Sequence, residues 1–114
     1  MLSRMNAMRA SMAAVSAPTE KAESILKIET AEVRVTEWRF RPGAATGFHR
    51  HDFDYVVVPL TSGTLRAVAA SGETTVPLAP GGAYFRKAGV EHDVINAGDS
   101  PFAFIEIELK DRPG

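Results

Sequence analysis

The sequence predicts an all-β domain, and three observations support this fold class. Eight short segments rich in β-branched and aromatic residues follow one another at spacings of about ten residues. Residues that favour turns, chiefly glycine, proline and serine, separate these segments. No stretch has the apolar periodicity of an amphipathic helix. Many short strands without helices indicate a β-sandwich or a β-barrel.

The segments can be assigned in chain order. The predicted strands are residues 25–29, 31–41, 49–60, 64–69, 74–78, 83–87, 90–96 and 102–110. The turns between them include the runs 41–47, 61–63, 71–72, 80–82 and 97–99. In the second strand the apolar alternation changes parity between Val35 and Trp38, which predicts a bulge or bend. In the last strand Ile105 and Ile107 alternate with Glu106 and Glu108.

Length and composition restrict the classes of protein. A chain of 114 residues suits one domain. Its 13 basic and 14 acidic side chains give a net charge of −1, so nothing favours a nucleic-acid partner. No apolar run approaches the roughly 18 to 20 residues that cross a bilayer. The chain contains 0 cysteines, which excludes disulfides and thiolate metal sites.

The N-terminal segment differs from the rest in composition. It mixes small residues with methionines and carries Arg4 and Arg9. Arg9, Ser11 and Ser16 break up any apolar stretch long enough for an export signal. We therefore expect residues 1–20 to form a loosely ordered tail and residues 21–114 to form the barrel. We also expect a cytoplasmic protein.

The three histidines are the strongest functional signal. His49 and His51 lie two residues apart in a predicted strand, so both side chains face the same way. Two imidazoles in this arrangement can bind one metal ion at about 2.0 to 2.1 Å, and His92 can join them if the fold brings its strand alongside. An exposed strand with two solvated histidines has the same spacing, so spacing alone leaves both interpretations open.

Two motifs in the chain resemble those of the cupin superfamily. The first runs from Gly43 through five residues to His49-Arg50-His51, then to Tyr55 and on to Gly63. The second runs from Gly81 through five residues to Lys87-Ala88-Gly89, His92 and Asn96. The run from Val35 to Gly63 further resembles small bacterial cupins associated with β-alanine degradation.

The resemblance implies a fold and a metal site. It implies a single-domain cupin, a double-stranded β-helix or jelly-roll barrel, in which His49, His51 and His92 hold one divalent ion. Iron, zinc, manganese, nickel and copper all accept neutral imidazole ligands, so the ion is not identified. Small cupins commonly pair, so we also expect a homodimer, with the apolar faces of Val33, Val35 and the last strand in contact.

Tyr55 departs from the cupin pattern, because it occupies the position of the usual glutamate ligand. If the strand is regular, its ring points into the barrel beside the histidines. It can then act as a weak ligand, as a hydrogen-bond donor to substrate, or as packing. We name Tyr55 as the candidate catalytic residue, with Glu106 as a less favoured acid or base. Lys87 replaces the proline of the second motif, which affects the turn more than the metal.

Other residues are candidates for the surroundings of the metal. The resemblance implies that Asn96 supports the strand of the third histidine, and Trp38, Phe53 and Phe104 are candidate lining residues. Arg50, Arg86 and Lys87 lie beside the motifs as candidate carboxylate-binding groups, although Arg50 alternates away from the histidines.

Two functions remain open at this point. The first is a metal-dependent enzyme acting on a small organic acid or carbonyl compound, as a dioxygenase, isomerase or hydrolase. The alternative is a non-catalytic cupin module that binds a small molecule or has a regulatory role.

Overall fold

The computed structural model describes residues 20–110, which form nine strands in two antiparallel sheets. The strands are β1 (Glu23–Glu29), β2 (Val33–Phe40), β3 (His49–Arg50), β4 (Asp54–Pro59), β5 (Gly63–Ala69), β6 (Gly72–Leu78), β7 (Tyr84–Arg86), β8 (Glu91–Asn96) and β9 (Phe102–Leu109). One sheet has the order β1-β2-β9-β4-β7 and the other the order β3-β8-β5-β6. No helix occurs in this part of the chain. The predicted all-β jelly-roll class is confirmed.

The structure corrects two details of the predicted strands. The segment 49–60 is not one strand, because β3 and β4 belong to different sheets and the chain crosses between them at Asp52 and Phe53. The predicted bulge between Val35 and Trp38 is wrong, since β2 pairs with β9 in continuous register. The parity changes because Val35 and Trp38 face opposite sides of the sheet. The register shift lies in β1 instead, between Leu26 and Ile28.

Aromatic residues form the end of the core nearest the β8–β9 turn. The ring of Phe40 lies 4.7 Å from that of Phe102 and 5.5 Å from that of Phe104. Gly63 packs so closely against Phe102 that an added Cβ would lie 2.7 Å from the ring. This dense packing closes one end of the space between the sheets and leaves the other end open.

Asn96 ties three segments together at this closed end. Its side-chain nitrogen donates to the carbonyl oxygens of Phe40, at 3.2 Å, and Ser100, at 2.9 Å. Its side-chain oxygen accepts from the backbone N–H of Gly98 at 2.9 Å. Asn96 is only 2% exposed, so its amide group depends on these partners and not on bulk water. Its amide therefore holds the turn between β8 and β9 against β2.

The outer face of the larger sheet carries an apolar strip. Val35 pairs with Ile107, which pairs with Val56 on its other side, and Val33 pairs with Leu109. These residues alternate with the residues that face the core, so they point away from it. This is the face on which we expect a second copy to pack, and the homodimer stays a prediction.

Two further expectations concern the ends of the chain and the membrane. The predicted tail, residues 1–20, lies outside the described residues except for Glu20. No helix among residues 20–110 is long and apolar enough to span a membrane.

Replacing Asn96 with alanine should destabilise the fold substantially. The substitution removes three hydrogen bonds, each worth about 1 kcal/mol, which predicts a loss of about 3 kcal/mol in the free energy of unfolding. Urea denaturation followed by Trp38 fluorescence measures this loss. Asp99→Ala, in the same turn but exposed, is the matched control and should stay within about 0.5 kcal/mol of the original protein. Equal stability of the two variants would contradict the role of Asn96.

Candidate metal centre

Pairing between β3 and β8 brings the histidines together. His49 is the direct partner of His92 in this antiparallel ladder, although the two are far apart in sequence. His51 follows one residue after β3, and its Nε2 lies 3.0 Å from Nε2 of His49 and 3.2 Å from Nε2 of His92. The ligand atoms of the three side chains all lie within 4.8 Å of one another. The predicted convergence of the three rings is confirmed.

The hydrogen bond to His49 determines which of its nitrogens carries the proton. Its Nδ1 lies 2.8 Å from the carbonyl oxygen of Gly47. A carbonyl oxygen only accepts hydrogen bonds, so Nδ1 carries the hydrogen in the neutral ring and Nε2 presents its lone pair to the other histidines. Gly47 has a φ of 86°, a conformation that favours glycine. Its N–H donates to the Asp93 carboxylate at 3.0 Å, which fixes the loop.

A carboxylate stands behind His51 in the same way. Oε2 of Glu106 lies 3.5 Å from Nδ1 of His51. Oε1 of Glu106 accepts a hydrogen bond of 2.9 Å from the indole Nε1 of Trp38. Trp38 thus orients Glu106, and Glu106 favours a proton on Nδ1 of His51. Nε2 of that ring is then free to act as a ligand.

Burial keeps His51 and His92 uncharged at neutral pH. Desolvation, with the neighbouring His49 and His92 adding to it, lowers the pKa of His51 to about 3. Desolvation, together with the charges of His49 and Arg86, lowers the pKa of His92 to about 4. Neutral imidazole is the form that binds metal ions.

These donors fit a divalent cation. Nitrogen lone pairs that face one another at 3.0 and 3.2 Å repel unless a cation lies among them. Two ligand nitrogens that each bind at about 2.1 Å and subtend a right angle lie about 3.0 Å apart, close to the observed separations. His49, His51 and His92 therefore suit one ion of the imidazole-binding group, which includes iron, zinc, manganese, nickel and copper.

The trio forms part of the wall of a cavity between the two sheets. Its volume is about 540 Å³, within the range for small-molecule sites. Much of the wall is apolar, with Val57, Leu65, Val76, Val94 and Phe104 among the lining residues. Trp38 and Phe104 are among the lining residues. Phe53 and Asn96 are not among the lining residues, since Phe53 lies in the crossing between sheets and Asn96 belongs to the closed end.

Tyr55 reaches the cavity from β4 and stacks on His51. The ring centroids are 3.9 Å apart and the planes differ by 18°. Tyr55 is 2% exposed, and burial, with the nearby charge of Glu106, raises the pKa of its phenol above the ordinary value. The hydroxyl therefore keeps its proton at neutral pH. This disfavours a phenolate ligand and leaves Tyr55 as a hydrogen-bond donor or as packing.

The sequence favoured Tyr55 over Glu106 as an acid or base, and the structure gives Glu106 a central position beside His51. Burial raises the pKa of Glu106 to about 7, while the hydrogen bond from Trp38 acts in the opposite direction. The signal was present in the sequence, because Phe102 and Phe104 share the parity of Glu106 and face the core. Gly47 and Asp93 were not singled out, since neither residue type marks a support for a histidine.

Of the three basic residues considered as carboxylate-binding groups, only Arg86 lines the cavity. Arg50 is exposed and pairs with Asp52 at 3.6 Å and Glu91 at 3.3 Å, in agreement with its predicted outward direction. Arg86 lines the cavity, and Lys87 does not.

Comparisons with known proteins agree with this architecture. A family profile described as a cupin domain matches residues 36–108, a range that contains all three histidines. The curated Beta-alanine degradation protein BauB of Pseudomonas aeruginosa is 59% identical over 85 residues, or 75% of this chain and 90% of BauB.

Solved structures show the same arrangement of strands. A cupin domain from Bordetella pertussis shares 47% identity with a TM-score of 0.81, over 84% of this chain and 100% of that one. A sugar phosphate isomerase of the cupin superfamily from Silicibacter pomeroyi shares 26% identity with a TM-score of 0.53, over 70% of this chain and 52% of that one.

Removing any one of the three histidines should abolish stoichiometric metal binding. We expect alanine at position 49, 51 or 92 to weaken binding by at least about 100-fold, since the loss of a supporting residue alone costs 10- to 100-fold. Elemental analysis after dialysis, with a competing chelator for affinity, measures the effect. Arg50→Ala, between two of the ligands, is the control and should keep one ion per chain. Full occupancy in all three histidine variants would contradict the site.

Replacing Glu106 with glutamine should weaken metal binding without abolishing it. The amide keeps the shape of the side chain but cannot carry the negative charge that Glu106 has above its pKa of about 7, so we expect roughly a 10-fold loss of zinc affinity at about pH 8. Glu108→Gln provides the control, because Glu108 lies on the same strand and pairs with Arg34 at 2.8 Å, away from the cavity. An equal effect of both substitutions would show that Glu106 acts only through general charge.

Proposed function

This chain belongs to the cupin family, and we propose that it is a metal-dependent enzyme acting on a small organic acid or carbonyl compound. The observation that carries this proposal is the convergence of three imidazole nitrogens on the wall of a largely apolar cavity that is open at one end. Three protein ligands leave coordination positions open for substrate or water. A structural metal site would have a closed ligand set instead.

A bound divalent ion supplies Lewis acidity, by which it polarises a carbonyl or carboxylate oxygen or lowers the pKa of a bound water. The side chains around it have separate tasks. His49, His51 and His92 hold the ion, and the Gly47 carbonyl and Glu106 hold the rings in the binding tautomer. Tyr55 donates a hydrogen bond from its protonated hydroxyl to a substrate oxygen. The apolar wall excludes water, which strengthens these polar contacts.

The relatives support a reaction on a small acid. The name of BauB assigns that protein to β-alanine degradation, and its 59% identity makes β-alanine and related three-carbon acids the first compounds to test. The Silicibacter pomeroyi relative is a sugar phosphate isomerase, so the superfamily includes enzymes on this fold. Dioxygenase, isomerase and hydrolase reactions are all compatible with the proposed site.

One observation favours a non-catalytic binding module as the second candidate. The carboxylates that line the cavity, Glu73 and Glu106, are both engaged by other side chains. Glu73 lies 3.9 Å from Arg66, and Glu106 accepts from Trp38. A cavity without a free acid or base suits ligand binding without turnover.

Metal reconstitution followed by substrate screening tests the proposal. Protein loaded with iron(II), zinc or manganese is incubated with β-alanine, three-carbon acids and short 1,3-dicarbonyls. Oxygen consumption reports oxygenation, and proton NMR reports isomerisation or hydrolysis. Turnover that disappears in His51→Ala supports the enzyme. Tight binding of a compound with no turnover under any metal would favour the binding module.

Replacing Tyr55 with phenylalanine should lower kcat by roughly 100-fold, the usual cost of losing one hydrogen-bond donor to a reacting oxygen. The ring that stacks on His51 is kept, so metal content should not change. Steady-state kinetics and elemental analysis on the same preparation measure both quantities. Unchanged turnover would reduce Tyr55 to packing, whereas loss of metal would make it a ligand.

A further inference from the structure

We propose that Arg86 binds a carboxylate of the substrate, so that this site takes a short carboxylic acid carrying a second oxygen group for the metal. The inference deepens the proposed function and depends on it for the role of the second oxygen. Arg86 is singled out by its charge environment, by its position in the sheet, and by the charges around the cavity.

The charge environment of Arg86 differs from that of the other arginines. Within residues 20–110, five arginines each have a carboxylate oxygen within 4.0 Å, namely Arg34, Arg39, Arg41, Arg50 and Arg66. No carboxylate of this part of the chain lies within that distance of Arg86. Its guanidinium carbon lies instead 4.9 Å from the centroid of the Tyr84 ring. An aromatic face holds the guanidinium by a cation–π contact and leaves its N–H groups free for an anion.

The position of Arg86 directs it to the cavity that contains the histidines. In the ladder between β4 and β7, Arg86 is the direct partner of Tyr55. Tyr55 in turn stacks on His51. Tyr84 and Arg86 are two residues apart on β7, so they share a face of the sheet, and both line the cavity. Arg86 and the next residue, Lys87, are both exposed, but only Arg86 is among the lining residues.

The charges around the cavity favour an anionic ligand. Glu73 lies within ion-pair distance of Arg66, and Glu106 is occupied by Trp38 and His51. Among the described lining residues, the charge of Glu106 offsets at most that of Arg86, so a divalent ion on the histidines leaves two positive charges in excess. A neutral ligand would leave this excess uncompensated. A carboxylate accepts two parallel N–H groups from a guanidinium, which gives both charge balance and orientation.

The position of Arg86 beside the histidines sets the length of the acid. Arg86 pairs with Tyr55, which stacks on His51, so a chain of a few carbon atoms suffices to join the guanidinium and the metal site. The cavity of about 540 Å³ has room for such a compound. One end of such an acid lies at Arg86, and its second oxygen group faces the three histidines. The residue that selects the substrate is therefore on the sheet opposite the metal-binding strands.

Malonate binding to zinc-loaded protein tests the inference, with neutral malonamide as the matched ligand. Arg86→Gln should weaken malonate binding by about 10- to 100-fold in isothermal titration calorimetry. The affinities for malonamide and zinc should not change. Arg50→Gln removes an arginine that is already paired and should bind malonate normally. Arg86→Lys keeps the positive charge but lacks the two parallel N–H groups of the guanidinium, so its affinity for malonate should be intermediate.

Two results would overturn the inference, and they are separable from failure of the proposed function. Normal malonate affinity in Arg86→Gln rules out Arg86 as the carboxylate site. An equal loss of malonate and malonamide shows a general effect on the cavity. If the original protein binds no metal, the proposed function fails, and titration of malonate into the metal-free protein still decides the role of Arg86. Circular dichroism verifies that each variant is folded. If Arg86→Gln does not fold, the malonate affinity of Arg86→Lys decides the role of Arg86 instead.

Discussion

The register between β3 and β8 is the constraint on which the site depends. Only two residues of β3 pair with β8, and this pairing sets His49 opposite His92. Hydrogen bonds on both sides support it, from the N–H of Thr46 to the carbonyl of Val94 and from the N–H of His51 to the carbonyl of Val90, each 2.9 Å long. A shift of one residue would turn the side chain of His92 to the other face of its strand, because side chains alternate along β-strands. Such a shift would remove the third ligand, whatever the chemistry of the other two.

The carboxylate of Glu106, near the histidines, is not placed as a metal ligand. Tyr55 occupies the position where the cupin motif has glutamate, and the buried carboxylate of this site comes from Glu106 on β9. Glu106 stands behind His51, on the side of Nδ1, and not among the Nε2 atoms. Its charge therefore reaches the site through an imidazole ring. The set of ligands stays neutral, so an ion bound there keeps its full charge for the polarisation of a substrate oxygen.

The sequence predicted those features that depend on local patterns or on recognisable motifs. Strand positions followed from alternation and turns, and the histidine trio followed from the motifs around His49 and His92. The division of segment 49–60 was not predicted, because strand signals continue through it and only the pairing partners reveal the change of sheet. Glu106 was underrated for a related reason. The facing of β9 depends on which side of its sheet is covered, and Ile105 and Ile107 made the opposite face look equally suited to the core.

The two sheets contribute different chemistry to the cavity. The metal ligands come from β3, the residue that follows it, and β8. Three further polar groups of the cavity come from β4, β7 and β9 of the opposite sheet, namely Tyr55, Arg86 and Glu106. The sheets meet through side-chain packing, so a change of side chain on one sheet need not disturb the backbone register of the other. Substitutions on β4 and β7 can then change which molecule is bound while the pairing of β3 with β8 keeps the metal ligands in place. Glu106 is the exception, because through His51 it connects the sheet that faces the substrate to the sheet that holds the ion.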